Sequence, residues 1–301
     1  MTAFLAVLSS KVADRWVQVL LLPGLFFTSI AAIGLLTGQH EALSLSYLTT
    51  RVNALAAQPT AHSTLAGVLI GVGVSLVAAG AGMLADTLGA LVQICWTLPA
   101  DRSPASWLLR WRRKRWQGAA ERLKAAVRAG TASAGEAYGT SCSEDKIRLL
   151  RRRLHRVGPA MPTCPTRVAE RFRATARRTE NLYGISDLPL VWPRLHAVVP
   201  DQLKTSITSA QADYAASARL AGWGLMYVAV ASVWWPAAIV ASAAFVACRI
   251  RAKPTADRLA DLLDTTIDLH LADLAEKLGT ERPDEVKLLG AHIMERIKPT
   301  L

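Results

Sequence analysis

Charged residues are missing from long stretches of this 301-residue chain. The four charge-poor segments are 16–37, 66–98, 220–235 and 236–248, and the second of them contains a single charge, Asp86. A helix that crosses a bilayer needs about 20 apolar residues, because each residue adds about 1.5 Å. We therefore predict an all-α integral membrane protein with four transmembrane helices in two hairpins.

The lengths of the segments lead to different expectations. Segment 66–98 is longer than a span requires, so it is expected to continue along the interface or to break at its glycines. The last two segments are short and meet at a Trp-Trp-Pro sequence, 234–236. Tryptophan favours the headgroup level and proline does not continue a helix, so a hairpin over 217–250 is predicted. One tilted helix over 220–248 is the alternative.

The positions of the basic residues predict the orientation. Of 35 Lys and Arg residues, only Arg51 lies between the first two spans, in the loop 38–64. The span ends at 16, 98, 220 and 248 are flanked by basic residues, which remain preferentially in the cytoplasm. Both termini and the loop 99–216 are therefore placed in the cytoplasm, and the loop 38–64 outside. The first segment exceeds the core of a signal peptide, so it is interpreted as a retained helix.

Composition supports this organisation. Apolar residues make up 51% of the chain and mean hydropathy is +0.24, which excludes a disordered chain and argues against a soluble one. Residues 100–216 contain 22 basic and 10 acidic residues, and so carry the whole net charge of +12. Arginine outnumbers lysine 26 to 9, which suggests a GC-rich bacterial genome and hence the bacterial inner membrane. The predicted regions are a first hairpin (1–98), a basic helical cytoplasmic region (99–216), a second hairpin (217–250) and an amphipathic cytoplasmic tail (251–301).

The cytoplasmic parts show helical patterns throughout. Thr166 is expected to cap a helix that ends near Gly184. The apolar stretch 188–195 is expected to dock on the membrane surface. A helix that starts near Asp201 is expected to run into the third span. In the tail, apolar residues recur at helical spacing over 255–278.

A cluster of tryptophan and basic residues follows the second span. Basic side chains near a cytoplasmic membrane face each gain about 1 kcal/mol from anionic lipid, and tryptophan suits the interface. A lipid-surface site is therefore predicted, with a topology signal alone and nucleic-acid binding as alternatives. Its residues are Trp107, Arg110, Trp111, Arg112, Arg113, Lys114, Arg115 and Trp116.

The second span contains two further candidates. Asp86 is the only ionisable residue in a predicted span, and such a residue is costly unless it faces protein or water, which makes it a functional candidate. Small residues repeat every fourth position, a pattern typical of close helix packing within or between chains. This predicted packing face comprises Gly67, Gly71, Ser75, Ala78 and Gly82.

Acidic residues form a stripe on one face of the tail helix. The stripe is interpreted as a solvated face, as a surface that pairs with the basic cytoplasmic helices or a partner, or, least favoured, as a metal site. It lacks the loop cage of a calcium site. Its residues are Asp257, Asp261, Asp264 and Asp268, at helical positions i, i+4, i+7 and i+11.

Catalytic chemistry has no clear signature in the sequence. The six histidines are scattered and the four cysteines form no C-x-x-C pair, so neither a metal site nor a cofactor is predicted. The glycine pattern at 80–86 would need a βαβ unit to bind a dinucleotide, and it lies inside an apolar run.

These observations favour a non-enzymatic membrane anchor or adaptor that presents cytoplasmic helices to an unidentified protein partner at an anionic membrane. The alternative is an oligomeric pore or transport subunit that uses Asp86 and the small-residue face, with the chain as a homo-oligomer. A membrane-bound enzyme is a weaker third hypothesis.

Overall fold

The computed structural model of the protein describes residues 21–39, 42, 44–57, 64–98, 105–132, 140–157, 161–279 and 286–297. All regular elements in this part are α-helices, which confirms the predicted all-α class. The ten helices are α1 (Leu22–Thr37), α2 (Leu45–Ala56), α3 (Thr64–Thr97), α4 (Ala105–Ala132), α5 (Thr140–Val157), α6 (Arg167–Tyr183), α7 (Leu188–Val198), α8 (Asp201–Ala231), α9 (Ala237–Lys277) and α10 (Val286–Ile297).

Among the described helices, α3 is the one that is both long and apolar enough to cross a membrane, over Gly67–Thr97. Helix α1 is also apolar but has only 16 residues. Of the two alternatives for segment 66–98, the break at the glycines does not occur, since α3 is continuous over 34 residues.

The chain forms two compact units. Unit 1 comprises Met1–Gln93 and Thr208–Thr255, and unit 2 comprises Ile94–Ile207 and Ala256–Leu301. Each has its own apolar cluster.

The core of unit 1 is built from α3, α8 and α9, with Phe27 of α1 packed edge-on against Tyr227 at 5.2 Å between ring centroids. Four of its seven buried residues are alanine, which lets the helix backbones approach closely. The buried cluster is Ala81, Ala85, Trp223, Met226, Tyr227, Ala237 and Ala241.

Helices α8 and α9 are separated by a turn at 232–236 and are not one continuous helix. They pack antiparallel, because Gly224 faces the Phe245 ring while Thr255 Oγ1 donates a hydrogen bond to Ser217 Oγ at 3.4 Å. Of the two sequence-based interpretations of this region, the structure contains the hairpin.

The core of unit 2 joins α6, α7, the last part of α9 and α10. Val191 and Leu195 of α7 have no exposed surface and pack with Ile267 and Ile293. The expectation that this apolar stretch docks on the membrane is therefore wrong. Its apolar side chains are buried in the core of its own unit.

Helix ends in unit 2 follow the sequence signals. Thr166 Oγ1 accepts a hydrogen bond from the Ala169 amide at 3.0 Å, which confirms the predicted cap of α6. The helix ends at Gly184 in the left-handed conformation, at φ 73°. Helix α9 runs through Pro254 without a break, so the predicted tail helix is the second half of a longer one.

Candidate functional site

Five residues of α4 form one exposed face, which we call the α4 face: Trp107, Arg110, Trp111, Lys114 and Arg115. The first four lie at positions i, i+3, i+4 and i+7, so they share one side of the helix. Trp107 is 62% exposed and Trp111 51% exposed, which is unusual for so large an apolar side chain. The Arg115 guanidinium lies 5.3 Å from the Trp111 ring centroid, a cation–π contact on the same surface.

Arg112 and Arg113 belong to the predicted cluster but have a different role. Arg112 donates to the Cys164 carbonyl at 2.6 Å and pairs with Glu170 at 3.0 Å. Arg113 Nε donates to the Pro162 carbonyl at 3.1 Å. Both side chains are half-buried, and they hold the segment before α6 against α4. Of the eight predicted lipid-surface residues, five thus form the exposed face, these two make internal contacts, and Trp116 is half-buried.

The α4 face combines cationic groups with amphipathic aromatic rings. Such a surface suits the boundary between headgroups and acyl chains, where indole rings enter the interface and cations meet anionic phosphates. The two half-buried arginines leave this face free, because their guanidinium groups are occupied on the other side of the helix.

The aspartate stripe faces α6 of the same unit. Arg171 donates to Asp261 and to Asp264, the latter at 3.1 Å. Burial lowers the pKa of Arg171, but its hydrogen bonds to the two aspartates outweigh this effect and leave the pKa raised. Asp257, the remaining member toward the helix start, is half-buried.

Asp268 has the most complete set of partners in the stripe. Arg178 donates to both of its carboxylate oxygens, at 3.0 and 2.8 Å, and the Tyr183 hydroxyl donates to one of them at 2.8 Å. The bonds from Arg178, more than that from Tyr183, hold the pKa of Asp268 below its ordinary value against the opposing effect of burial. Three of the four aspartates are thus engaged within unit 2.

Asp86 forms an ion pair with Arg219 of α8. The two helices approach closely at this point because each presents a glycine. A Cβ on Gly89 would lie 2.9 Å from the Arg219 Cα, and Gly222 lies against the Ala85 carbonyl. From the sequence, Asp86 was interpreted as an isolated charge within a span and Arg219 as a charge flanking another span. The ion pair between them was therefore not predicted.

The predicted small-residue face divides into two parts. Ala78 and Gly82 are buried, and Ala78 packs against Gly24 of α1. Gly67 and Gly71 are exposed, with no atom within 4 Å of an added Cβ, and Ser75 is also exposed. In unit 1, close packing therefore occurs only along the second half of the predicted face and continues through residues that the pattern omitted, Ala81, Ala85 and Gly89.

Within the described residues no group of three or more His, Cys, Asp or Glu side chains could hold a metal ion. A scan against protein-family models finds no matching family, and searches among curated proteins and solved structures find no significant relative.

Proposed function

We propose that this protein is a non-enzymatic membrane anchor and adaptor that holds a folded helical unit against an anionic cytoplasmic membrane surface. Two helical hairpins insert into the bacterial inner membrane, and both termini and the loop 99–216 are cytoplasmic. The all-helical fold and the length of α3 support this assignment. The basic residues around the span ends favour the orientation.

The exposed α4 face is the observation that carries the proposal. Three cations near an anionic surface contribute about 1 kcal/mol each. The two exposed indole rings, Trp107 and Trp111, add apolar area at the depth where tryptophan is most stable. In water the same rings would be an unfavourable exposed patch.

The protein partner of the adaptor must meet a surface other than the aspartate stripe. Arg171 and Arg178 already occupy three of its carboxylates. The pore hypothesis loses its main support for a similar reason, because Arg219 neutralises Asp86 and leaves it less suited to a moving ion.

The experiment uses the full-length protein in nanodiscs, with an environment-sensitive fluorophore on Gly118→Cys. Gly118 is exposed, follows the α4 face on the same side of the helix, and has no atom within 4 Å of an added Cβ. The native cysteines are replaced first. We expect a blue shift of emission in anionic nanodiscs relative to neutral ones, and its loss at high salt, because salt screens the contact.

Two triple variants separate the α4 face from net charge. Changing Arg110, Lys114 and Arg115 to glutamine should abolish the blue shift. The control removes the same charge from α5, where residues 151–153 are three exposed arginines, and it should retain the shift. Equal emission in neutral and anionic nanodiscs, or equal losses in both variants, would contradict the proposal.

A further inference from the structure

The contacts between α3 and α8 fix the register of the two antiparallel helices. Gly89 meets the backbone of Arg219, and Gly222 meets the backbone of Ala85. Helix α8 continues nine residues from Gly222 to its end at Ala231, about 14 Å, which brings its end level with Leu76 of α3. Helix α3 begins at Thr64, so about 18 Å of it extends past the α8–α9 turn.

This protruding part of α3 is apolar and exposed. No charged residue occurs between residues 64 and 76. Val68 is 60% exposed and Ile70 is 61% exposed, and neighbouring apolar side chains are exposed to a similar extent. On the membrane placement proposed above, this surface is in contact with hydrocarbon, so the bilayer extends beyond the turn.

The α8–α9 hairpin is too short to cross that bilayer. Its charge-free arms are 220–231 and 237–248, about 18 Å each, and the hydrocarbon core is about 30 Å thick. Arg219 bounds the first arm, and Arg249 and Arg251, both exposed, bound the second. With these charges at the inner boundary of the hydrocarbon core, the turn stops about 12 Å short of the outer boundary. The protruding part of α3, about 18 Å long, is long enough to cover this remaining distance.

The polar groups of the turn are satisfied by the protein itself. Gln39 Nε2 donates to the carbonyls of Ala231 and Ser232, at 3.2 and 2.9 Å, and Gln39 Oε1 accepts from the Trp235 amide at 3.2 Å. Trp234 Nε1 donates to the Ala42 carbonyl at 3.1 Å. Non-helical backbone is tolerated at membrane depth where it is buried in protein or lines a water-filled cavity, and in this turn protein groups provide the hydrogen bonds.

From these observations we infer that α8 and α9 form a re-entrant hairpin, which enters the membrane from the cytoplasmic side and turns inside the hydrocarbon core. The inference rests on the membrane placement in the proposed function and replaces two of its crossings by one partial insertion. The position of the termini is unchanged, because both arms return to the same side.

The test uses thiol labelling of the full chain in intact cells with a membrane-impermeant maleimide, after replacement of the native cysteines. Ser232→Cys reports on the turn. Ala57→Cys, exposed after α2, is the matched control for the outer side. We expect Ala57→Cys to react in intact cells, and Ser232→Cys to react only after detergent is added.

A nitroxide on Val233→Cys in nanodiscs measures the depth of the turn independently of sidedness. We expect it to collide with oxygen more than with a water-soluble nickel complex, as a label on the exposed Val72→Cys should. Reaction of both cysteines in intact cells, or a nickel-accessible Val233 label, would overturn the re-entrant hairpin and leave the proposed function standing. An unreactive Ala57→Cys would instead contradict the proposed topology, and the nitroxide depth would still decide the hairpin.

Discussion

The close approach of α3 and α8 makes a quantitative prediction for Gly89→Ala. The new Cβ would lie 2.9 Å from the Cα of Arg219 and 3.0 Å from its amide nitrogen. Favourable contacts between carbon atoms lie at about 3.5–4.0 Å. One helix backbone must therefore move by at least about 0.6 Å, because no flexible side chain is available to yield.

Glycine to alanine has two opposite effects in a helix. Alanine has the higher helix propensity, by about 1 kcal/mol. Overpacking of a tight contact costs about 1–3 kcal/mol. Gly80 lies nine residues earlier on the same helix, and an added Cβ there has no atom within 4 Å. Gly80→Ala therefore retains the propensity gain alone, and the difference between the two variants isolates the clash.

The assay is reversible unfolding of the full-length protein in mixed detergent micelles, followed by circular dichroism as SDS is added. We expect Gly80→Ala to unfold at the same SDS fraction as the native protein or a higher one. Gly89→Ala should have a free energy of unfolding about 1–3 kcal/mol lower than Gly80→Ala. Equal stabilities of the two alanine variants would refute the close packing of α3 against α8.

Two further predictions concern ion pairs. A double-mutant cycle of Asp86→Asn and Arg219→Gln, in the same assay, should give a coupling energy of about 0.5–1 kcal/mol, since both side chains are partly exposed; additive losses would contradict the pair. Asp268→Asn should accelerate amide hydrogen exchange in α6 at pH 7. The expected loss of unfolding free energy is below about 1 kcal/mol, because Asp268 and Arg178 are both about a third exposed or more. The depressed pKa of Asp268 means that this stabilisation is present above the ordinary aspartate pKa of about 3.9 and disappears as pH falls through the lower, folded-state pKa. A difference in amide exchange between the variant and the native protein that persisted below pH 2 would contradict this role of the ionised Asp268.

Periodicity predicted the helices well, because local sequence determines them. Thr166 and Gly184 mark the ends of α6 through backbone requirements that few other residues meet. The apolar stretch at α7 was predicted to meet lipid. An apolar face is equally stable against lipid or against Ile267 and Ile293, and a single sequence does not distinguish these partners.

The sequence predicted which residue types make up the candidate site, but not which contacts each residue makes. Eight residues of α4 were grouped because tryptophan and arginine are adjacent in sequence. Helical geometry sends Arg112 and Arg113 to the side opposite Trp107 and Trp111, where carbonyls of the segment before α6 accept their hydrogen bonds. The partners of the aspartate stripe lie about 90 residues away along the chain, a separation beyond the reach of local pattern.

The re-entrant hairpin and the ion pair together account for the position of Asp86. Arg219 ends the charge-free part of α8, so in the inferred placement it lies at the inner boundary of the hydrocarbon core. Asp86 is paired with it and therefore lies at the same depth, 11 residues before the apolar helix α3 ends at Thr97. An aspartate at this boundary needs no aqueous path through the membrane, because Arg219 pairs with it and the headgroup region is close by. Under this inference Asp86 is a packing residue at the base of the hairpin, and the proposed contact with the anionic surface belongs to the α4 face.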